Sequence, residues 1–156
     1  MVFTIGSAIT VDALGIYDMP TLTGSEQVGL YDSVGTLLGS TTVTLADPIT
    51  GGYRFQSISP LALLPGTYTV DAEVNSNPWA YGVSSQAAGI NFLNNDYLYA
   101  SSLEFPTDVG GSGPAYFGPN FEFSPTPVPE PLTLSLFGAG LAGAAAIRRR
   151  HKTKKA

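Results

Sequence analysis

The residue types that usually carry catalysis are nearly missing from the first 127 residues. The single histidine is His151, the first lysine is Lys152, and cysteine is absent. A Ser-His-Asp triad needs an imidazole beside its serine, so that arrangement is excluded from the body. Zinc sites built on His or Cys and Schiff-base chemistry are excluded there for the same reason. Carboxylates remain. Eleven of them could furnish a glycosidase pair or a calcium site, but Asp12, Asp18, Asp32, Asp47, Asp96 and Asp108 sit mainly where strands end or turn, and capping of turns is the expectation. The run Asn94-Asn95-Asp96 reads first as a turn. Among aromatics, Trp79, Tyr81, Tyr97 and Tyr99 cluster mid-chain and are the candidate glycan contacts, because flat rings stack on sugars. Core packing is the competing and preferred expectation for them. No metal or other cofactor is implied beyond the calcium alternative, and the chain is expected not to be an enzyme.

The elements positioning these residues fall into two unlike parts. Residues 125–131 read Pro-Thr-Pro-Val-Pro-Glu-Pro, a stiff spacer. Residues 132–147 form an uncharged, Gly/Ala-rich run of 16 residues, a little under the roughly 20 that span a bilayer as helix. Pro131 is tolerated at a first helical turn. Arg148, Arg149 and Arg150 follow and can snorkel to headgroups, lengthening the effective span. Six of the seven basic residues lie after the apolar run, which places the C-terminus in the cytoplasm by the positive-inside rule. A transmembrane helix over 132–147 with a basic cytoplasmic tail over 148–156 is therefore expected. No amphipathic face is present to suggest a soluble core helix.

This ordered triple, with Val128-Pro129-Glu130-Pro131 first, the small-residue run second and the arginine block last, resembles the PEP-CTERM sorting signal of Gram-negative bacteria. The resemblance implies that Pro129, Glu130 and Pro131 are the sorting motif recognised by an exosortase, a membrane-embedded cysteine transpeptidase. It also implies that Arg148, Arg149 and Arg150 act as the cytoplasmic stop. The enzyme would remove the tail and pass the protein from an inner-membrane precursor to the cell surface, leaving a product without a membrane helix.

Charge divides the chain as sharply as hydropathy. Before residue 128 a single base, Arg54, faces eleven acids, a net charge of −10. Such a surface repels nucleic acid and suits an exported domain that meets a hydrated polysaccharide matrix. With no disulfide available, the fold must rest on its apolar core, which about 125 residues can supply. Met1 to Gly6 offers neither a cationic start nor an apolar run, so the expectation is a reading frame beginning upstream with an export signal.

Short runs rich in Val, Ile, Thr, Tyr and Phe, punctuated by Gly, Pro, Asn and Asp, predict strands over 9–17, 27–31, 37–45, 53–58, 66–74, 80–83, 96–100 and 120–123. Val34-Gly35, Asp47-Pro48 and Pro65-Gly66 mark turns, with a hairpin meeting around Asp32 to Gly35. Residues 84–89 could make a short helical turn, and Val109 to Pro114 reads as a flexible loop. No helical period appears before the tail. The fold class is all-β: an antiparallel two-sheet sandwich, jelly-roll-like, over residues 1–123. A Pro-rich linker over 124–131 joins it to the transmembrane helix.

The strings Phe3-Thr4-Ile5-Gly6-Ser7-Ala8-Ile9-Thr10-Val11, Val28-Gly29-Leu30-Tyr31-Asp32 and Leu64-Pro65-Gly66-Thr67-Tyr68 are similar to an uncharacterised bacterial β-sandwich family that often carries the same tail. This resemblance implies a fold and a location only. It also implies an extra strand ahead of Phe3, whose absence would expose an orphaned sheet edge. The functional expectation is a non-enzymatic surface or matrix protein sorted by exosortase, with a carbohydrate-binding module as the alternative.

Overall fold

The structure is a computed structural model that describes residues 1–20, 22–73, 80–82, 87–98, 100, 102–111 and 115–126; of residues 80–82, 111 and 115–117 it describes the backbone alone. Twelve strands follow in order: β1 Val2–Ile5, β2 Ile9–Tyr17, β3 Glu26–Asp32, β4 Leu37–Val43, β5 Ile49–Thr50, β6 Tyr53–Leu63, β7 Gly66–Ala72, β8 Ala80–Gly82, β9 Ile90–Tyr97, β10 Asp108–Gly111, β11 Ala115–Phe117 and β12 Pro119–Pro125. They make a six-stranded sheet in the order β10-β9-β1-β7-β3-β4, a four-stranded sheet in the order β12-β2-β6-β5, and a two-stranded β11-β8 ladder. All pairings are antiparallel. The described residues contain no helix. The sequence expectation of an all-β, two-sheet antiparallel body is met.

The sheets share a core because each strand turns its alternate apolar residues to one side. Val28 and Leu30 of β3, Val70 of β7, and Phe3 and Ile5 of β1 meet Ile9, Val11, Leu14 and Ile16 of β2, Leu63 of β6 and Phe121 of β12. Phe3 is fully buried, and its ring stacks on Phe121 of the opposite sheet at 4.8 Å between centroids. Between Val11 and Ala13 the register of β2 against β6 shifts. A bulge of this kind reverses the alternation, so both Val11 and Leu14 reach the core across an odd spacing. Ala13, Gly15 and Tyr17 thereby share the opposite face of β2. On that face Gly15 lies under the ring of Phe55, its cross-strand partner, so closely that an added Cβ would collide with the ring and with the Arg54 carbonyl.

Two turns show why the local sequence closes where it does. Asp32 Oδ1 accepts from the backbone N–H groups of Val34 (2.9 Å) and Thr36 (2.8 Å), and Gly35 takes φ 88°. This is the hairpin expected around Asp32 to Gly35, closed by a carboxylate that substitutes for backbone partners. The carboxyl is held below its ordinary pKa, foremost by the Thr36 N–H. At the β6–β7 connection, the Tyr68 hydroxyl donates to the Leu64 carbonyl four residues upstream at 2.8 Å while its ring packs against the core. That is a tyrosine corner, a device of sandwich folds that pins a sheet-to-sheet crossing.

Several expectations are corrected. The orphaned edge does not occur at β1: that strand is paired on both sides, with β7 and with β9. The fourth strand ends at Val43 rather than Leu45, and β6 continues to Leu63 rather than stopping at Ile58. The strand placed over 96–100 instead runs from Ile90 to Tyr97, because Ile90 to Phe92 pair with β1 despite the polar Asn94-Asn95-Asp96 that follows. Asn94, Asn95 and Asp96 thus lie within a strand and not in a turn. Part of the expected Gly-rich loop is strand β10, where Gly110 lets the backbone approach the Asn95 carbonyl too closely for any Cβ.

Equilibrium denaturation checks this core. Phe3→Ala is expected to cost about 3–5 kcal/mol, the usual penalty for deleting a fully buried aromatic ring. Tyr68→Phe, which removes only the hydroxyl of the corner, is expected to cost about 1 kcal/mol.

Candidate functional site

The carboxylates resolve into three local arrangements. In the first, Arg54 Nε donates to Asp18 Oδ1 at 2.7 Å, and the same guanidinium reaches the carbonyls of Leu45 (2.6 Å) and Asp47 (3.1 Å). Asp47 Oδ2 in turn accepts from the Thr44 N–H at 2.6 Å and the Thr44 hydroxyl at 3.1 Å. The only base of the body therefore clasps the 44–48 turn to the end of β2. The planar fork suits this work because it can serve several acceptors from one side chain. The guanidinium donates to one carboxylate and two backbone carbonyls, all within this clasp. Asp18 and Asp47 are turn-holding residues, as the sequence suggested.

The second arrangement was not foreseen. Asp71 on β7 lies near Asp96 of β9, Tyr31 of β3 and the Met1 amino group, which donates to the Val70 carbonyl at 2.8 Å. Burial pushes the Asp71 carboxyl up from 3.8 to about 6; the adjacent amine and the Ala72 N–H oppose that rise, and Asp96 adds to it. Burial likewise lowers the Met1 amine and raises the Tyr31 hydroxyl. Sequence reading missed Asp71 because its strand looks ordinary, and only the order β9-β1-β7-β3 gathers these groups. Two carboxyl groups with a perturbed member are what acid–base chemistry uses. Here, however, they lie within one sheet, and no cluster of three or more His, Cys, Asp or Glu able to hold a metal occurs among the described residues.

The third group is dispersed. Asp12 accepts from Ser124 at 3.0 Å, Asp96 accepts from Asn94 at 3.0 Å, and Asp108 begins β10 opposite Tyr97. Asp12 therefore stands mid-strand on β2, at its bulge, and not at a turn.

Of the aromatic candidates, Tyr97 is 47% exposed, so the core-packing expectation fails for it. It is the last residue of β9, and the strand end leaves it partly in solvent. Tyr81 lies in β8 and is described by backbone only; Trp79 and Tyr99 lie outside the described residues. A pair the sequence did not single out is Tyr17 and Tyr53, cross-strand partners whose rings meet edge-on at 5.2 Å, with Phe55 beside Tyr53 at 6.1 Å. Alternation around a bulge hid this pairing. Neither residue signals itself in a linear reading.

The remaining site residues, Pro129, Glu130, Pro131, Arg148, Arg149 and Arg150, lie outside the described residues, as do the expected transmembrane helix and basic tail. Among the described residues no helix is long and apolar enough to cross a membrane. What the fold does supply is the approach to the motif. β12 remains hydrogen-bonded to β2 as far as Pro125, and the Thr126 N–H reaches the Ala8 carbonyl at 3.3 Å. A compact unit spans residues 1–126 and a second begins at Pro127.

An all-β body that closes at residue 126 and passes directly into a proline-rich, apolar, then cationic sequence has the organisation of an exported domain with a C-terminal sorting tail. A family model described as a PEP-CTERM protein-sorting motif matches residues 127–150, within which the Pro-Glu-Pro triplet and the three arginines fall. The chain is a PEP-CTERM domain-containing protein. Its signal implies a membrane-anchored precursor that exosortase cleaves and that is exported to the cell surface. No curated protein and no solved structure matches the chain. The likeness of its body to a bacterial β-sandwich family rests on sequence pattern alone.

Two measurements follow from these arrangements. Between pH 4 and about 6 the folded chain holds a proton on Asp71 that the unfolded chain has released, so this group makes stability fall as pH rises through that window. Asp71→Asn should flatten the slope and raise stability at pH 7 by up to about 3 kcal/mol, read by denaturation at a series of pH values. Asp18→Ala should cost about 1–2 kcal/mol at neutral pH, since it strips a largely buried guanidinium of its charged acceptor.

Proposed function

We propose that the mature body is a non-enzymatic surface protein, displayed on or released into an extracellular polysaccharide matrix of a Gram-negative bacterium. Within it, Pro129, Glu130 and Pro131 serve as recognition elements for exosortase, and Arg148, Arg149 and Arg150 serve as the cytoplasmic stop. The observation that carries this reading is the sorting signal itself, attached one residue beyond a finished β-sandwich. Support comes also from what the body lacks in its sequence: histidine, lysine and cysteine are absent before residue 128. Asp12, Asp18, Asp32 and Asp47 serve turns and strand contacts, which fits a display role better than hydrolysis.

A second reading draws on Tyr97, whose half-exposed ring at a sheet end offers a stacking surface for a sugar. In that case the module binds glycan, with or without calcium, and delivery to a polysaccharide matrix is the means of reaching its ligand.

The test for the main proposal is the mass of the protein made with and without exosortase. Exosortase should convert the full chain to a shorter species lacking the apolar run, and Glu130→Ala should block that conversion. An intact tail beside a competent enzyme would mean a plain anchor. Glycan-array binding abolished by Tyr97→Ala would favour the second reading over simple display.

A further inference from the structure

The two ends of the sandwich differ in charge, and the difference lines up with where the chain leaves. Register places Ile5, Ile9, Leu63, Gly66, Ile90 and Pro125 at a common end. Asp32 of β3 pairs with Tyr68 of β7, so the Asp32 to Thr36 hairpin projects at that end too. The connecting residues there are 6–8, 33–36, 64–65 and 87–89, and none of them is charged. The acid that borders them, Asp32, has Oδ1 turned onto two backbone N–H groups of its own hairpin. Glu104, close enough to Tyr31 to raise its hydroxyl, lies on the neighbouring segment that packs Leu103 and Phe105 over Gly29 and Gly35. By the same register, Asp18, Glu26, Asp47, Asp71, Asp96 and Asp108 gather toward the opposite end.

At this end, where Asp32 and Glu104 are the neighbouring carboxylates, two apolar side chains stand far out: Val34 is 82% exposed and Leu64 is 70% exposed. Exposed apolar residues occur elsewhere, as at Val109 and Ile49, but those lie among the carboxylates of the other end. Thr126 emerges beside Ala8 at the same end, and only residues 127–131 separate it from the apolar run. A chain of that length covers at most about 20 Å. In the membrane-anchored precursor this end is therefore confined to the neighbourhood of the headgroups, and a carboxylate-rich end there would be repelled by anionic lipid.

We propose that the end of the sandwich bearing Leu64 and Val34 is a bilayer-docking face, which seats the folded body on the lipid surface of the precursor and holds the sorting motif at headgroup level. Leu64 and Val34 enter the interfacial zone, where apolar side chains gain by leaving water. The acidic end points away. Docking is reversible: once the tail is removed, two side chains are too little to keep the body on the membrane, and it departs. The inference rests on the reading of residues 132–147 as a membrane anchor.

The natural absence of cysteine makes the test direct. Single-cysteine versions of the full chain, Leu64→Cys, Val34→Cys, Thr50→Cys and Ala142→Cys, are labelled with an environment-sensitive fluorophore. They are reconstituted into vesicles of phosphatidylethanolamine and phosphatidylglycerol that carry nitroxide-labelled lipid. The labels at 64 and 34 should be quenched by shallow nitroxides, the label at 142 by deep ones, and the label at 50 by neither. Quenching at 142 with none at 64 and 34, or with equal quenching at 50, overturns the docking face and leaves the anchor standing. No quenching at 142 overturns the anchor and the docking face together. As a check that does not depend on labels, Leu64→Glu with Val34→Glu should slow exosortase processing while leaving the denaturation midpoint unchanged; unchanged processing overturns the proposal.

Discussion

The fold depends on β1 being held from both sides while Phe3 reaches across to the other sheet. Four residues, Val2–Ile5, pair with β7 on one flank and β9 on the other. Without them the six-stranded sheet divides into a β9-β10 pair and a β7-β3-β4 trio. The same strand places the Phe3 ring against Phe121, so one short segment joins the other five strands of its sheet and binds that sheet to its partner. Ladder bonds and the buried aromatic stack reinforce each other, since each fixes the position the other needs. The joint has a cost. It brings Asp71 and the Met1 amine together in a place where burial disfavours their charges, and Asp71 responds by keeping its proton to about pH 6.

A division of labour among side chains follows from the scarcity of bases. One arginine stands against eleven carboxylates in residues 1–127, so ion pairing cannot organise this surface. Instead the acids accept from backbone N–H groups and hydroxyls: Asp32 in its hairpin, Asp47 at Thr44, Asp12 at Ser124. Arg54 serves where a turn and a strand end must be held together at once. Asp12, Asp18, Asp32 and Asp47 are satisfied in this way by hydrogen bonds, and Asp71 is the exception, where burial disfavours the charge.

Much of the body was legible because alternation and turn chemistry are local. The run from Ile9 to Tyr17 is bounded as expected, and the Asp32 and Asp47 turns occur where Asp, Gly and Pro announced them. Failures share a physical origin. The family resemblance implies an exposed edge near Phe3, whereas β1 is covered by β9, a pairing some ninety residues away in sequence that no local window contains. Residues 109–114 look like loop because glycine lowers strand propensity, although the tight approach of Gly110 to Asn95 is what glycine allows in β10. The aromatic pair Tyr17–Tyr53 and the half-buried Asp71 were invisible for the same reason: each depends on register, and register is a property of two strands.

The sequence by itself determined the class and the destination. Hydropathy, proline and charge order in residues 127–150 carry a sorting address that needs no folded context, because a membrane and an enzyme read it as a linear string. It also determined that the body would be β-structure held without disulfides. Tertiary structure decided which strands became neighbours, which carboxyl lost its water, and which end of the sandwich the chain leaves by. Those outcomes arise from long-range pairing, where burial and distance act between residues that the chain keeps far apart.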